Sequence, residues 1–111
     1  MDTRSTYQSI IERVLNEYAQ TPYAYGDVIR QTVFDRDGGH YLLMIVGRDG
    51  IRRVHGCLIH IDLVGEKIWI QRDGTEQGIA NDLLAADVPK EQIVLAFRSL
   101  AMRQYTDFAV T

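Results

Sequence analysis

Four side chains on one short stretch have the types to do chemistry: His55, Cys57, His60 and Asp62. An imidazole beside a thiol can generate a thiolate nucleophile, and imidazole, thiol and carboxylate together can hold a zinc-class cation. Spacing decides what can meet. On a regular strand side chains alternate, so His55 and Cys57 share one face while His60 and Asp62 share the other. A nucleophile and its base must touch, and alternation separates Cys57 from His60. A bulge at Gly56 changes that parity and brings His55 and His60 to one side. Even so only two nitrogen ligands converge, fewer than zinc wants, and His40 joins only if the strand register allows. The plainer account makes Cys57 a small buried packer and the histidines strand residues with backbone or carboxylate partners.

Other candidate sites are basic. Arg48, Arg52 and Arg53, with His55, form the most cationic local patch, relieved by Asp49; it can touch a nucleic-acid backbone or dock on an acidic partner. Arg98 and Arg103 precede Tyr105 and Phe108, and arginine interleaved with aromatics is the composition of interface hot spots, or else of rings that close a core. Gly47-Arg48-Asp49-Gly50 joins two strand-like runs rather than opening a helix, which favours a hairpin turn over a phosphate loop. No paired-carboxylate motif appears: Asp35 with Asp37, and Asp73 with Glu76, occupy turns where such residues bind local backbone.

The elements that must position these residues follow from periodicity. Tyr7, Ile10, Ile11, Val14, Leu15 and Tyr18 form an apolar helical stripe over Ser5 to Tyr18, with Ser5 and Gln8 as a capping box and Thr21-Pro22 as the stop. Tyr23 to Asp27 reads as a linker with a turn at Gly26. A strand from about Val28 to Phe34 ends in Asp35-Arg36-Asp37-Gly38-Gly39, a hairpin signal. His40 to Gly47 is apolar at nearly every position, as in a central strand covered on both faces or a strand with one face covered by a second subunit. After Asp49-Gly50, Ile51 to Leu63 is a long strand whose Gly56 marks a bulge or a close backbone approach. Val64-Gly65-Glu66 turns the chain into Lys67 to Glu76: Ile68 and Ile70 alternate as a half-buried strand, Trp69 is packed or at an interface, Asp73-Gly74 turns, and Thr75 caps a helix of about three turns. Ile79, Leu83 and Leu84 face inward and Asp87-Val88-Pro89 stops that helix. Ile93 to Phe97 is a short strand, Ser99 to Tyr105 a helical turn or ordered loop, and Phe108 to Val110 a final short strand.

The expected architecture is therefore α+β: an N-terminal helix, an antiparallel meander of about four strands, a second helix, then one or two short C-terminal strands, with the helices on one sheet face. The 111 residues suit a single domain spanning 1–111, and at 46% hydrophobic they can bury one core. A net charge of −3 argues against strong non-specific nucleic-acid binding. All of the twelve basic residues except Lys67 and Lys90 are arginine, which leans toward protein contacts. The lone cysteine excludes an internal disulfide, no run approaches the roughly 18 apolar residues of a membrane span, and the polar N-terminus lacks a signal peptide, so the expectation is a cytoplasmic protein without membrane contact.

Several motifs in order give a more specific lead: Val46-Gly47-Arg48-Asp49-Gly50; Arg52-Arg53-Val54-His55-Gly56-Cys57 with Ile59-His60; Lys67-Ile68-Trp69-Ile70-Gln71 with Asp73-Gly74-Thr75-Glu76; Val88-Pro89-Lys90; Ile93 to Phe97; and Arg103-Gln104-Tyr105-Thr106 with Phe108-Ala109-Val110. Together they closely resemble the XisI family, named as excision controlling factors of the fdxN element in cyanobacteria. The resemblance implies a small α+β domain and a role in developmentally regulated DNA rearrangement. There a separate recombinase does the strand chemistry and an XisH-like companion is the partner. It implies no catalytic residues and no cofactor. The leading expectation is a non-enzymatic accessory protein acting through protein contacts, with recombinase and DNA reached indirectly and self-association through the apolar His40 to Gly47 strand. The rivals are direct DNA binding by the Arg48, Arg52, Arg53 hairpin and a small enzyme or metal protein centred on His55, Cys57 and His60.

Overall fold

The computed structural model describes residues 2–21 and 27–111. The linker expected before Asp27, with its turn at Gly26, lies outside the described residues. Helix α1 (Thr3–Gln20) is followed by strands β1 (Asp27–Asp35), β2 (His40–Asp49), β3 (Arg52–Val64) and β4 (Lys67–Asp73). Helix α2 (Ile79–Ala85), strand β5 (Ile93–Leu95) and the single turn α3 (Leu100–Arg103) complete the chain. The sheet has the order β1-β2-β3-β4-β5, antiparallel except for the parallel β4–β5 pair. This is the α+β meander the turn residues predict. β5 joins in parallel because the α2 crossover returns the chain to the same end of the sheet. The expected last strand is a single parallel bridge, Val94 to Ala109.

Both larger helices bury their apolar stripes on one face of the sheet. Ile11, Leu15, Tyr41, Leu43, Ile59, Ile61, Ile68, Ile70, Ile79 and Leu83 are all fully buried in one cluster. Each such aliphatic side chain contributes roughly 1.5–3 kcal/mol by leaving water. Polar clamps fix α1 over this core. Arg4 donates to the carbonyls of Leu63 and Gly65, Arg36 pairs with Glu12 at 2.6 Å, and the Tyr18 hydroxyl donates to Asp82 of α2. No helix among the described residues is long and apolar enough to cross a membrane.

Local start signals differ from the sequence reading. The N-cap of α1 is Asp2, whose carboxylate accepts from the Ser5 amide at 2.7 Å, while Gln8 reaches away to the Arg36 carbonyl. Asp2 wins because it lies three residues before an amide it can satisfy. Thr75 does not cap α2, which begins at Ile79 and spans 7 residues. Asp73 does the work from the end of β4: one carboxylate oxygen accepts from the Ile79 amide at 2.8 Å, the other from the Thr75 amide at 3.0 Å and the Thr75 hydroxyl.

The long strands are not regular. β2 and β3 pair from Asp49 with Arg52 to Met44 with Cys57, then shift by one, so that Leu43 meets Ile59 and Leu58 is the extra residue. The bulge is thus at Leu58 and not at Gly56, which pairs regularly with Ile45 and has open space where a Cβ would stand. A second shift, between β3 and β4, makes Gln71 the extra residue. Close backbone approach occurs instead at Gly47, where φ is +154° and a Cβ would lie 1.9 Å from the Asp27 carbonyl oxygen.

Candidate functional site

The Leu58 bulge determines what shares the face of the sheet turned away from α1 and α2. Residues directly opposite in an antiparallel pair project to the same side. His40 faces Asp62, Leu42 faces His60, Met44 faces Cys57, Val46 faces His55 and Arg48 faces Arg53. His55 and Cys57 therefore project to the same face as His60 and Asp62, whereas strict alternation predicts opposite faces. One inserted residue flips the side-chain parity beyond it.

At one end of this face His40, His60 and Asp62 converge. The Asp62 Oδ1 lies 2.7 Å from His40 Nδ1 and 2.9 Å from His60 Nε2. The Gln71 side-chain amide donates to the other carboxylate oxygen at 3.2 Å, and Gln71 can reach it because the second bulge falls there. The hydrogen bond and charge of Asp62 hold the His40 imidazole above its ordinary pKa. Burial alone would push the Asp62 carboxyl up, but the two imidazoles outweigh it and leave the group below the usual carboxylate range.

Cys57 is not part of this cluster. Its thiol bonds to the Ile59 carbonyl at 3.1 Å, and burial pushes its pKa up, opposing the thiolate a nucleophile needs. Arg72 donates to the Cys57 carbonyl and draws the thiol back only in part. Among His, Cys, Asp and Glu of the described residues, His40, His60 and Asp62 form the group whose ligand atoms all lie within 4.8 Å of one another. The sequence alone centres this candidate site on His55, Cys57 and His60 with His40 at the margin; of those three only His60 is in the cluster, and His40 and Asp62 complete it.

The centre of the same face is apolar. Leu42, Met44 and Val46 are half-buried on β2, and Ile29 and Val33 on the neighbouring edge strand are 57% and 48% exposed. At the far end Arg48 and Arg53 stand opposite each other beside the Asp49–Arg52 pair, with Arg52 only 3.9 Å from Asp49. Arg53 and Asp62 are separated by about 30 Å of strand. The arginine hairpin and the imidazole cluster thus occupy opposite ends of one surface.

Of the C-terminal basic residues, Arg103 lies at the Asp62 end of this same face. Trp69, opposite Asp62, receives the Arg103 guanidinium over its ring at 5.5 Å from the centroid. The same guanidinium donates to the carbonyls of Arg98, Val110 and Ala96, so it pins the tail to the sheet. Arg98 lies over the Phe97 ring, and Tyr105 is 84% exposed. Phe97, Leu100, Met102 and Tyr105 are each exposed, while Phe108 packs against the core. The two predicted groups, Arg48, Arg52 and Arg53 on one side and Arg98, Arg103 and Tyr105 on the other, are not brought together.

Comparison with known proteins agrees along the whole chain. The XisI protein family model matches residues 1–110. A crystal structure of an XisI-like protein from Anabaena variabilis superposes with a TM-score of 0.89 at 36% identity, covering 97% of this chain and 99% of that one. The crystal structure of fdxN element excision controlling factor XisI, also from Anabaena variabilis, gives a TM-score of 0.84 at 27% identity, with 99% and 100% covered. No curated protein matches the chain. A family model and a fold that both run essentially from end to end leave one assignment: this chain belongs to the XisI family.

Proposed function

We propose that this chain is a non-catalytic controlling factor in DNA-element excision. In this reading it works in the cytoplasm through contacts with an XisH-like protein and reaches recombinase and DNA indirectly. Family membership and the fdxN controlling-factor neighbour support the process. The observation that supports the mode of action is the sheet face turned away from α1 and α2. Ile29, Val33, Leu42, Met44 and Val46 form one apolar patch that neither large helix covers, edged by the arginines of the hairpin. Apolar centres with arginine at the margin are the composition of protein interfaces. The exposed Phe97, Leu100, Met102 and Tyr105 beside Arg98 offer a second contact surface for the same partner. Co-expression and size-exclusion chromatography test the reading: the two proteins should elute together at micromolar concentration, and clean separation would count heavily against it. Light scattering on the chain alone distinguishes a self-associated form, in which a second copy covers the patch.

One feature favours a second reading. Arg48 and Arg53 stand directly opposite each other, and like charges in that relation cost stability that an anionic ligand would recover. Direct DNA binding by Arg48, Arg52 and Arg53 predicts a mobility shift that weakens as salt rises and is lost in Arg52→Ala/Arg53→Ala. A shift indifferent to that double substitution would remove the hairpin from consideration.

A further inference from the structure

We propose that His40, His60 and Asp62 form a binding site for a divalent transition-metal ion of the zinc class, with one coordination position open to solvent or to a docked partner. The donor set points to this class. Two imidazoles and one carboxylate suit zinc, cobalt or nickel, whereas magnesium and calcium take oxygen ligands.

The scaffold holds the three donors on rigid strands. His40 and Asp62 are cross-strand partners on the β2–β3 ladder, and His60 lies two residues from Asp62 on the same face. His40 Nδ1 and His60 Nε2 both aim at the single oxygen Asp62 Oδ1, at 2.7 and 2.9 Å. Donor atoms around a four-coordinate zinc ion lie about 3.3 Å apart, given bonds near 2.0 Å, so each contact needs to open by only about 0.5 Å. The Gln71 amide on Asp62 Oδ2 fixes the carboxylate and leaves Oδ1 for the ion. Such an outer partner is the usual support of a metal-binding carboxylate. Asp35, opposite His40 on β1, adds negative potential, while the two cations on this side are engaged elsewhere: Arg72 donates to the Cys57 carbonyl, and Arg103, over the Trp69 ring opposite Asp62, donates to the carbonyls of Arg98, Val110 and Ala96. The His40 side chain is 54% exposed, so the ion has an entry path and one free position.

The test uses the full chain stripped with chelator, then titrated calorimetrically with zinc chloride and followed optically with cobalt. One equivalent should bind. His40→Ala and Asp62→Asn should each weaken binding at least tenfold, and Gln71→Ala by about 10–100-fold, the usual effect of losing an outer partner. His55→Ala and Cys57→Ser should leave the affinity unchanged. Circular dichroism checks the fold of each variant. Should a variant fail to fold, paramagnetic broadening by cobalt in the wild-type chain decides, since it must centre on residues 40, 60 and 62. Absence of stoichiometric binding at micromolar zinc, binding abolished by Cys57→Ser, or broadening centred on His55 would overturn the proposal.

Discussion

Replacing Asp73 by Ala should loosen the junction between sheet and second helix by an amount the structure fixes. The carboxylate accepts from the Ile79 amide at 2.8 Å, the Thr75 amide at 3.0 Å and the Thr75 hydroxyl. Loss of a helix-start acceptor costs about 1 kcal/mol. The two Thr75 bonds, which water can partly replace, add about 0.5–1 kcal/mol each. The sum, about 2–3 kcal/mol, corresponds to a fall in Tm of about 8–12 °C at roughly 4 °C per kcal/mol for a domain near this size. Asp73→Asn keeps one carbonyl oxygen and should lose about half as much. Glu76→Ala is the control: Glu76 carries the same charge three residues on, is exposed, and should change stability by less than about 0.5 kcal/mol. Thermal and urea unfolding followed by circular dichroism read all three. An Asp73→Ala shift below about 2 °C, or an equal shift for Glu76→Ala, would refute the assignment of Asp73 as the organiser of this junction.

Two further outcomes follow from the same geometry. Arg103→Ala should free residues 96–110 and expose the single tryptophan, Trp69, giving a red-shifted emission and faster amide exchange across the tail with the sheet core unchanged; unaltered emission would show that the guanidinium is not the pin. Because burial pushes the Cys57 thiol above its ordinary value of 9.0, less thiolate is present at any given pH than in a free cysteine. Alkylation should therefore be slow at pH 8 and accelerate on raising the pH through and beyond 9, and rapid reaction at pH 7 would revive the thiol-enzyme reading.

The sequence carried most of the fold because its signals are local. The stripe from Tyr7 to Tyr18 and the Asp-Gly and Gly-Gly turns act within a few residues and fix helix, strands and hairpins. The site was less legible because it depends on parity across two strands. A signal was nonetheless present. Counting back from the Asp49-Gly50 turn without an extra residue sets Tyr41 opposite His60 and Leu43 opposite Leu58. The apolar alternation of Ile59, Ile61 and Leu63 is then out of phase with Tyr41 and Leu43. Burying both sets on one face requires one inserted residue between Cys57 and Ile59, and the structure has it at Leu58. That insertion seats His40 opposite Asp62. A glycine within a strand suggests a bulge or a close backbone approach at Gly56, but the bulge is demanded by core register and not by glycine. The Asp73 interaction was missed for a similar reason: its carboxylate reaches six residues ahead, beyond the span of a simple cap.

The central claim, that the apolar sheet face turned away from α1 and α2 is the partner-binding surface, has one direct measurement. Ile29 and Val33 lie on an edge strand at 57% and 48% exposure, so Ile29→Lys/Val33→Lys should fold normally, as edge lysines commonly do. Calorimetric titration of this variant with the XisH-like protein should show affinity at least tenfold below wild type, while Glu76→Ala binds as wild type does. Full affinity in the double-lysine variant would contradict the account.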